Sequence, residues 1–301
     1  MPVNLNKTIK NDSAAFIEPL TKDNYFSKQA GIDYMSVSQF KDLIGSTATL
    51  PCEFSGVNRI YKTAPEKESI SLLVGSYVDS YFEGTLDEFK AEHPEIFKKT
   101  GDKGLKAEYI VAENIIRRIE SDTLFKEYMS GEKQVIMTAN IFGVNWKIKM
   151  DSYHKNDKIV DLKVMKDMMP IWSDLKRQKV DFITYWGYDI QGAIYQKVVE
   201  INTGKKLPFF IACATKETPS NIEIIHIPQK YLDAALHFVE ENIDHAINLK
   251  NRSIEPKRCG VCAFCREKKI LIEPISLEQI MPVRYTADEN TTEPVSLFDD
   301  I

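Results

Sequence analysis

The sequence predicts an α/β fold carried by one main domain, and three observations predict it. Apolar residues recur at helical spacing through residues 70–82 and again through 105–128, their period drops from 3.6 to 2 after Gly131, and beyond residue 158 strand and helix patterns alternate. Side chains return to one face of a helix every 3.6 residues and to one face of a strand every two, so a change of period marks a change of element.

The first thirty or so residues are polar with scattered apolar positions, which suits a weakly ordered lead-in over residues 1–35. Ser36 then offers a side-chain acceptor with Gln39 three residues on, ahead of Phe40, Leu43 and Ile44. That is the capping-box form of a helix start. Residues 70–82 and 105–128 continue as helix with charges on the outer face, so the first half is mainly helical. Val135, Met137, Ala139 and Ile141 alternate with polar partners, as do Val144, Trp146, Ile148 and Met150, giving two strands joined tightly at Phe142 and Gly143. A third strand, 158–165, follows a polar turn at 154–157. Helix returns, most clearly over 185–199, before strands at 208–215 and 222–227 and a last long helix at 229–249. The main domain spans residues 36–270, and residues 271–301 read as an acidic, flexible tail.

Composition narrows the function classes. With 43% hydrophobic residues the chain can bury a full core. Its longest apolar runs, such as 209–214, stop far short of the roughly 20 residues a membrane span needs. No signal-peptide pattern is present, so a cytoplasmic location without membrane contact is expected. Five cysteines are too few and too unevenly spaced for a disulfide framework, which leaves thiols for metals. The net charge of -5 does not exclude a polyanionic partner, because residues 250–269 carry seven basic groups against Glu255 and Glu267.

The candidate chemistry lies on the strands. If Val144, Trp146, Ile148 and Met150 face the core, Asp151 leaves it at the strand end; if Val160, Leu162 and Val164 are the buried set, Asp161 and Lys163 project together to the opposite face. Two carboxylates and one ammonium then converge on one sheet edge. Phosphodiester hydrolysis needs that set: hard oxygen ligands for Mg²⁺ or Mn²⁺, a metal to acidify water, and a cation beside the nucleophile. Asp151 and Asp161 would be ligands and Lys163 would orient the attacking water. The plain alternative is an ordinary solvent-facing strand, since Asp-x-Lys alone occurs by chance in many proteins.

Asp151 followed by Asp161 and Lys163, on an α-β-β-β-α-β order, resembles the PD-(D/E)XK nucleases of restriction-endonuclease-like fold, over about residues 36–265. Within that superfamily the chain is similar to phage and prophage exonucleases of the RecE type and more distantly to RecB-like nuclease domains. The resemblance implies a mixed central sheet flanked by helices, with a helical N-terminal part and a C-terminal cysteine cluster. Gly75 and Asp79 resemble the early helical Gly-x-x-x-His motif, whose His is a metal ligand; Asp79 stands in its place and can ligate Mg²⁺ as a hard carboxylate. Gln191 and Tyr195 match the Gln-x-x-x-Tyr motif of RecB-like nucleases and would hydrogen-bond the scissile region or the DNA backbone. Tyr188, on the same helix face, reads better as a half-buried packing residue.

Cys259, Cys262 and Cys265 have two consecutive two-residue gaps, so three thiolates from one turn can reach a single centre and a fourth ligand must come from elsewhere; the resemblance to RecB-like nucleases implies Cys52 as that upstream ligand. The spacing favours a four-iron, four-sulfur cluster over zinc. The resemblance agrees, since RecB-like nucleases with an iron–sulfur staple use one cysteine before the core and three after it, although their last gap is longer. Cys213, inside an apolar strand, reads as a free buried thiol. Lys257, Arg258, Arg266, Lys268 and Lys269 flank the cluster and could line a DNA channel. In the tail, Leu297 and Phe298 resemble short sliding-clamp motifs without their glutamine, and a chance pair is the plainer reading.

The resulting expectation is a Mg²⁺-dependent exonuclease acting on double-stranded DNA ends, as in phage-type recombination with a single-strand annealing protein, and with relatives that form homo-oligomers. Two readings stay open beside it. One is a structure-selective endonuclease or helicase-associated nuclease module. The other is a non-catalytic, metal-stapled DNA-binding protein.

Overall fold

The computed structural model describes residues 19–64, 69–101 and 103–276. The N-terminal part is helical: α1 (Lys28–Asp33), α2 (Val37–Leu43), α3 (Glu53–Ile60), α4 (Ile70–Glu83), α5 (Leu86–Glu92), α6 (Ala107–Glu120) and α7 (Thr123–Tyr128). The capping box is present, with the Ser36 hydroxyl accepting from the Gln39 N–H and the Gln39 side chain accepting from the Ser36 N–H. The single helix expected over 105–128 is two, because the Asp122 carboxylate caps a new start by accepting from the Phe125 N–H at 2.9 Å.

The strands follow as β1 (Val135–Ile141), β2 (Val144–Met150), β3 (Ser152–His154) and β4 (Lys158–Met165). β1 and β2 form an antiparallel hairpin whose two-residue turn puts Phe142 and Gly143 at φ 54° and 77°. Both angles are positive, as a type I′ turn requires; glycine adopts them freely and phenylalanine at a cost. A small hairpin, β5 (Ile171–Ser173) with β6 (Gln178–Val180), precedes α8 (Phe182–Trp186) and α9 (Tyr188–Thr203). Then come β7 (Phe209–Thr215), β8 (Ile222–His226), α10 (Gln229–Lys250) and α11 (Ala263–Glu267).

β4 pairs antiparallel with β3 and parallel with β7, and β7 pairs antiparallel with β8, so the sheet runs β3-β4-β7-β8 and is mixed. Helices cover both faces, as expected. On one side Val160, Leu162, Ala212 and Ala214 pack against Tyr77, Val78, Ile115 and Phe125 from α4, α6 and α7. On the other, Ile159, Phe209 and Ile211 pack against Ile190, Ile194 and Val198 of α9 and Leu232 and Val239 of α10. Full burial of each such side chain contributes about 1.5–3 kcal/mol.

Double coverage corrects one expectation. Asp161 was expected on a face opposite the core, yet it is only 3% exposed, because a central strand with helices on both sides has no solvent face. Lys147 of β2 is 5% exposed for a related reason. Residues 19–35, expected as a weakly ordered lead-in, run along that side. Met35 exchanges backbone hydrogen bonds with Asn145 and Lys147 at 2.8 and 2.9 Å, and Lys147 Nζ donates to the Tyr25 carbonyl while lying 4.5 Å from its ring centre. Residues 1–18 and the tail beyond 276, with Leu297 and Phe298, lie outside the described residues. Among the described residues no helix is long and apolar enough to cross a membrane.

Helices approach closely where glycine permits. A Cβ on Gly192 would meet the Phe209 ring at 2.6 Å, so α9 sits directly on β7. A Cβ on Gly56 would lie 2.2 Å from the Asp42 carbonyl oxygen, so α3 rests on α2 backbone to backbone. Gly56→Ala should therefore lower stability by about 1–3 kcal/mol, against the ~1 kcal/mol that alanine gains in helix propensity. A denaturant midpoint at or above that of the parent would contradict this packing.

Candidate active site

The fold delivers charged groups to one place from four directions. β2 does not run straight into β3: the chain bends at Asp151, where it leaves β1 and joins β4. Beyond that bend β4 lacks a strand partner on this side, and the Asp151 carboxylate takes over by accepting from the Leu162 N–H at 2.9 Å. A backbone donor that would otherwise be buried unpaired is thus satisfied, and the carboxylate is fixed. β4 places Asp161 and Lys163 two residues apart on the α9 side, where they form an ion pair. α4 brings in Asp79, and α9 brings Gln191 and Tyr195. All six line a cavity of about 750 Å³.

The electrostatics show crowded acids. Burial, then the charge of Asp161, pushes the Asp151 carboxyl up to about 7. Burial, then the charge of Asp151, raises Asp79 well above the usual carboxylate range. Burial works against the Lys163 ammonium, but Asp161 and Asp151 outweigh it and hold the group above its ordinary value. Asp161 Oδ1 accepts from Gln191 Nε2 at 2.6 Å. Its buried Oδ2 is paired by charge with Lys163 and takes no other hydrogen bond among the described residues. A buried carboxylate oxygen with an open lone pair, beside two acids whose protons are hard to remove, is a donor set that lacks a cation. The residues therefore fit a hard divalent ion. Asp79, Asp151 and Asp161 all line the cavity, as ligands to such an ion would have to.

Gln191 and Tyr195, expected to reach DNA, line the cavity and also hold protein groups. Gln191 holds Asp161, and the Tyr195 hydroxyl donates to the Lys149 carbonyl at 3.1 Å. Their helix face is buried against β2 and β4, leaving them 9% and 8% exposed. Three further groups escape the sequence reading. Glu83 follows Asp79 by one helical turn, lines the same cavity and receives a hydrogen bond from Gln134. Its signal was the four-residue spacing on a recognised helix. Lys41 of α2 lies beside Lys163, and burial followed by that charge lowers it to about 8. Tyr188, set aside as packing, has both lysines over its ring, Lys41 at 5.4 Å and Lys163 at 5.2 Å.

A second centre is built from thiols. The ligand atoms of Cys52, Cys259, Cys262 and Cys265 all lie within 4.8 Å of one another, the one such set found among the described residues. Cys52 precedes α3 and Cys262 precedes α11; the Cys262 and Cys265 N–H groups donate to the sulfurs of Cys259 and Cys262, each at 3.3 Å. Of the basic groups nearby, Arg258 lies 3.8 Å over the Phe54 ring and Lys268 pairs with Glu267. Cys213 is buried in β7 apart from this group, as expected.

Residues 36–268 match the family described as a PDDEXK-like domain of unknown function (DUF3799). The chain belongs to this family. A crystal structure from Eubacterium rectale, described as "Putative exonuclease", is 51% identical to this PDDEXK-like chain, covers 87% of it and 98% of its own length, and superposes with a TM-score of 0.83. A structure described as SSO0001 covers 65% of this chain and 85% of its own at 14% identity and a TM-score of 0.26, too low to carry an argument. No curated protein matches. In this PDDEXK-like chain Asp151, Asp161 and Lys163 line one cavity with Asp79 from α4 beside them.

If the cavity is a divalent-cation site, Mg²⁺ or Mn²⁺ at 100 times its dissociation constant should raise unfolding free energy by about 2.7 kcal/mol. Asp161→Asn, which keeps the acceptor for Gln191, should remove most of that gain, and Glu83→Gln a smaller part. Thermal denaturation with and without metal reads both. An undiminished shift in Asp161→Asn would place the ion elsewhere.

Proposed function

We propose that this chain is a divalent-metal-dependent exodeoxyribonuclease that hydrolyses phosphodiester bonds from the ends of duplex DNA. The observation that carries this reading is the ion pair of buried Asp161 with partly buried Lys163, in a cavity shared with Asp151 and Asp79. Mg²⁺ or Mn²⁺ held by Asp79, Asp151 and Asp161 would supply neutralisation of the phosphate charge and an acidified water. The chain's own groups do the remaining work. Gln191 fixes Asp161 through Oδ1, which leaves Oδ2 to the Lys163 ammonium. Lys163, ion-paired and therefore charged, donates rather than accepts; it orients the attacking oxygen and stabilises the extra negative charge of the transition state. Lys41 and Lys149 add positive charge to the walls where a polyanionic backbone would lie.

The exonuclease class is supported by the description of the Eubacterium rectale relative at 51% identity. A role in supplying single-stranded tails to an annealing protein, and a ring-forming oligomer, rest on the resemblance to RecE-type exonucleases alone. A structure-selective endonuclease uses the same centre and differs in what it does to a strand without ends.

Linear and covalently closed circular duplex DNA, each with Mg²⁺ and with chelator, separate these readings. Mg²⁺-dependent loss of linear DNA alone is expected, whereas cutting of both would replace the exonuclease reading by the endonuclease one. Asp161→Asn and Lys163→Met should each reduce cleavage by at least about 10²–10³-fold with the circular dichroism spectrum unchanged. Activity near the parent level in either variant would remove the assigned centre.

A further inference from the structure

We propose that Cys52, Cys259, Cys262 and Cys265 bind one tetrahedral zinc ion, and not the four-iron, four-sulfur cluster that the family resemblance and the cysteine spacing favour. The proposal is independent of the nuclease reading, since these thiols lie outside the acidic cavity.

The separation of the sulfurs decides between the two occupants. Four thiolates around one zinc, at a Zn–S distance of about 2.3 Å, sit about 3.8 Å from one another at the corners of a tetrahedron. Four thiolates on a cubane each ligate a different iron, the body of the cluster stands between them, and they are driven roughly 6–6.5 Å apart. Here every pair lies within 4.8 Å, and the Cys52 and Cys265 sulfurs are 3.4 Å apart. One ion fits within that spacing. A cubane would need the last pair to open by about 3 Å.

The surrounding structure opposes that opening. The Phe54 N–H donates to the Lys257 carbonyl at 3.1 Å, which ties the first turn of α3 to the chain just before Cys259. The rings of Phe54 and Phe264 stack at 5.1 Å, which ties the same turn to α11 between Cys262 and Cys265. Both clamps span the cysteine centre, and both would have to give way to admit a cluster. The two N–H···S bonds of the loop also suit a closed four-thiolate site, where such donors fix ligand orientation and neutralise the excess charge of the sulfurs. With no position left open, the ion is structural: it joins the helical N-terminal part to the chain end and has no role in redox chemistry.

Full-length protein, produced in medium containing both iron and zinc and purified without oxygen, is assayed for metals and for acid-labile sulfide. One zinc per chain without sulfide is expected, in the Asp161→Asn variant as in the parent. Iron in place of zinc, with or without sulfide, would overturn the proposal. Cys262→Ser should lose most of the zinc while Cys213→Ser keeps it. Should Cys262→Ser fail to fold, exchange of the parent with Co²⁺ gives the second reading: visible bands of tetrahedral cobalt with intense thiolate charge transfer are expected, and their absence after stoichiometric cobalt uptake would overturn it.

Discussion

Placing Asp161 and Lys163 on a strand with helices on both faces takes the first charge out of water and much of the second, and the surrounding structure supplies much of what they lose. Their mutual attraction offsets only part of the desolvation cost, and buried ion pairs are on balance poor contributors to stability. The rest comes from specific neighbours: Gln191 on one oxygen of Asp161, Tyr188 beneath the ammonium, and the charge of Asp151 held in place by the Leu162 N–H. Hydrophobic residues of similar volume would serve the fold as well or better. The retention of a charged pair with an open carboxylate oxygen is accordingly a statement about chemistry at that point.

The same constraint explains the layout around β4. Asp151 can reach the site because the long strand breaks there, leaving β1 behind and joining β4, so a backbone interruption becomes a ligand position. α9 can hold Asp161 because Gly192, next to Gln191, lets the helix lie directly on Phe209 of β7. α4 packs its apolar side on the opposite core cluster and so turns Asp79 and Glu83 toward the cavity edge. The cysteine cluster lies apart from this cavity, where α3, which rests on α2, meets the segment that carries α11.

Strands with an unbroken alternation were legible in the sequence, because burial on one face writes period two into the residues. Asp151, Asp161, Lys163 and the four cysteines were legible for a related reason: their spacing carries the chemistry locally. What stayed hidden was set by tertiary contact or by brevity. β3, β5 and β6 have three residues each, too few for a period. Tyr25 and Met35 meet β2 across more than a hundred residues, so nothing local signals that the first segment buries Lys147. Lys41 and Glu83 gain their significance from Lys163 and Asp79, which only the fold brings beside them. Gln191 and Tyr195 line the cavity, and their hydrogen bonds to Asp161 and the Lys149 carbonyl are contacts that spacing does not encode.

The central claim is that the open oxygen of Asp161, with Asp151 and Asp79, holds a divalent cation. Crystals soaked in Mn²⁺ test it most directly through anomalous diffraction. The account predicts a peak within bonding distance of Asp161 Oδ2 that also touches Asp151 or Asp79, directly or through one water. A cavity without a peak at saturating Mn²⁺, or a peak that leaves Asp161 untouched, would contradict it.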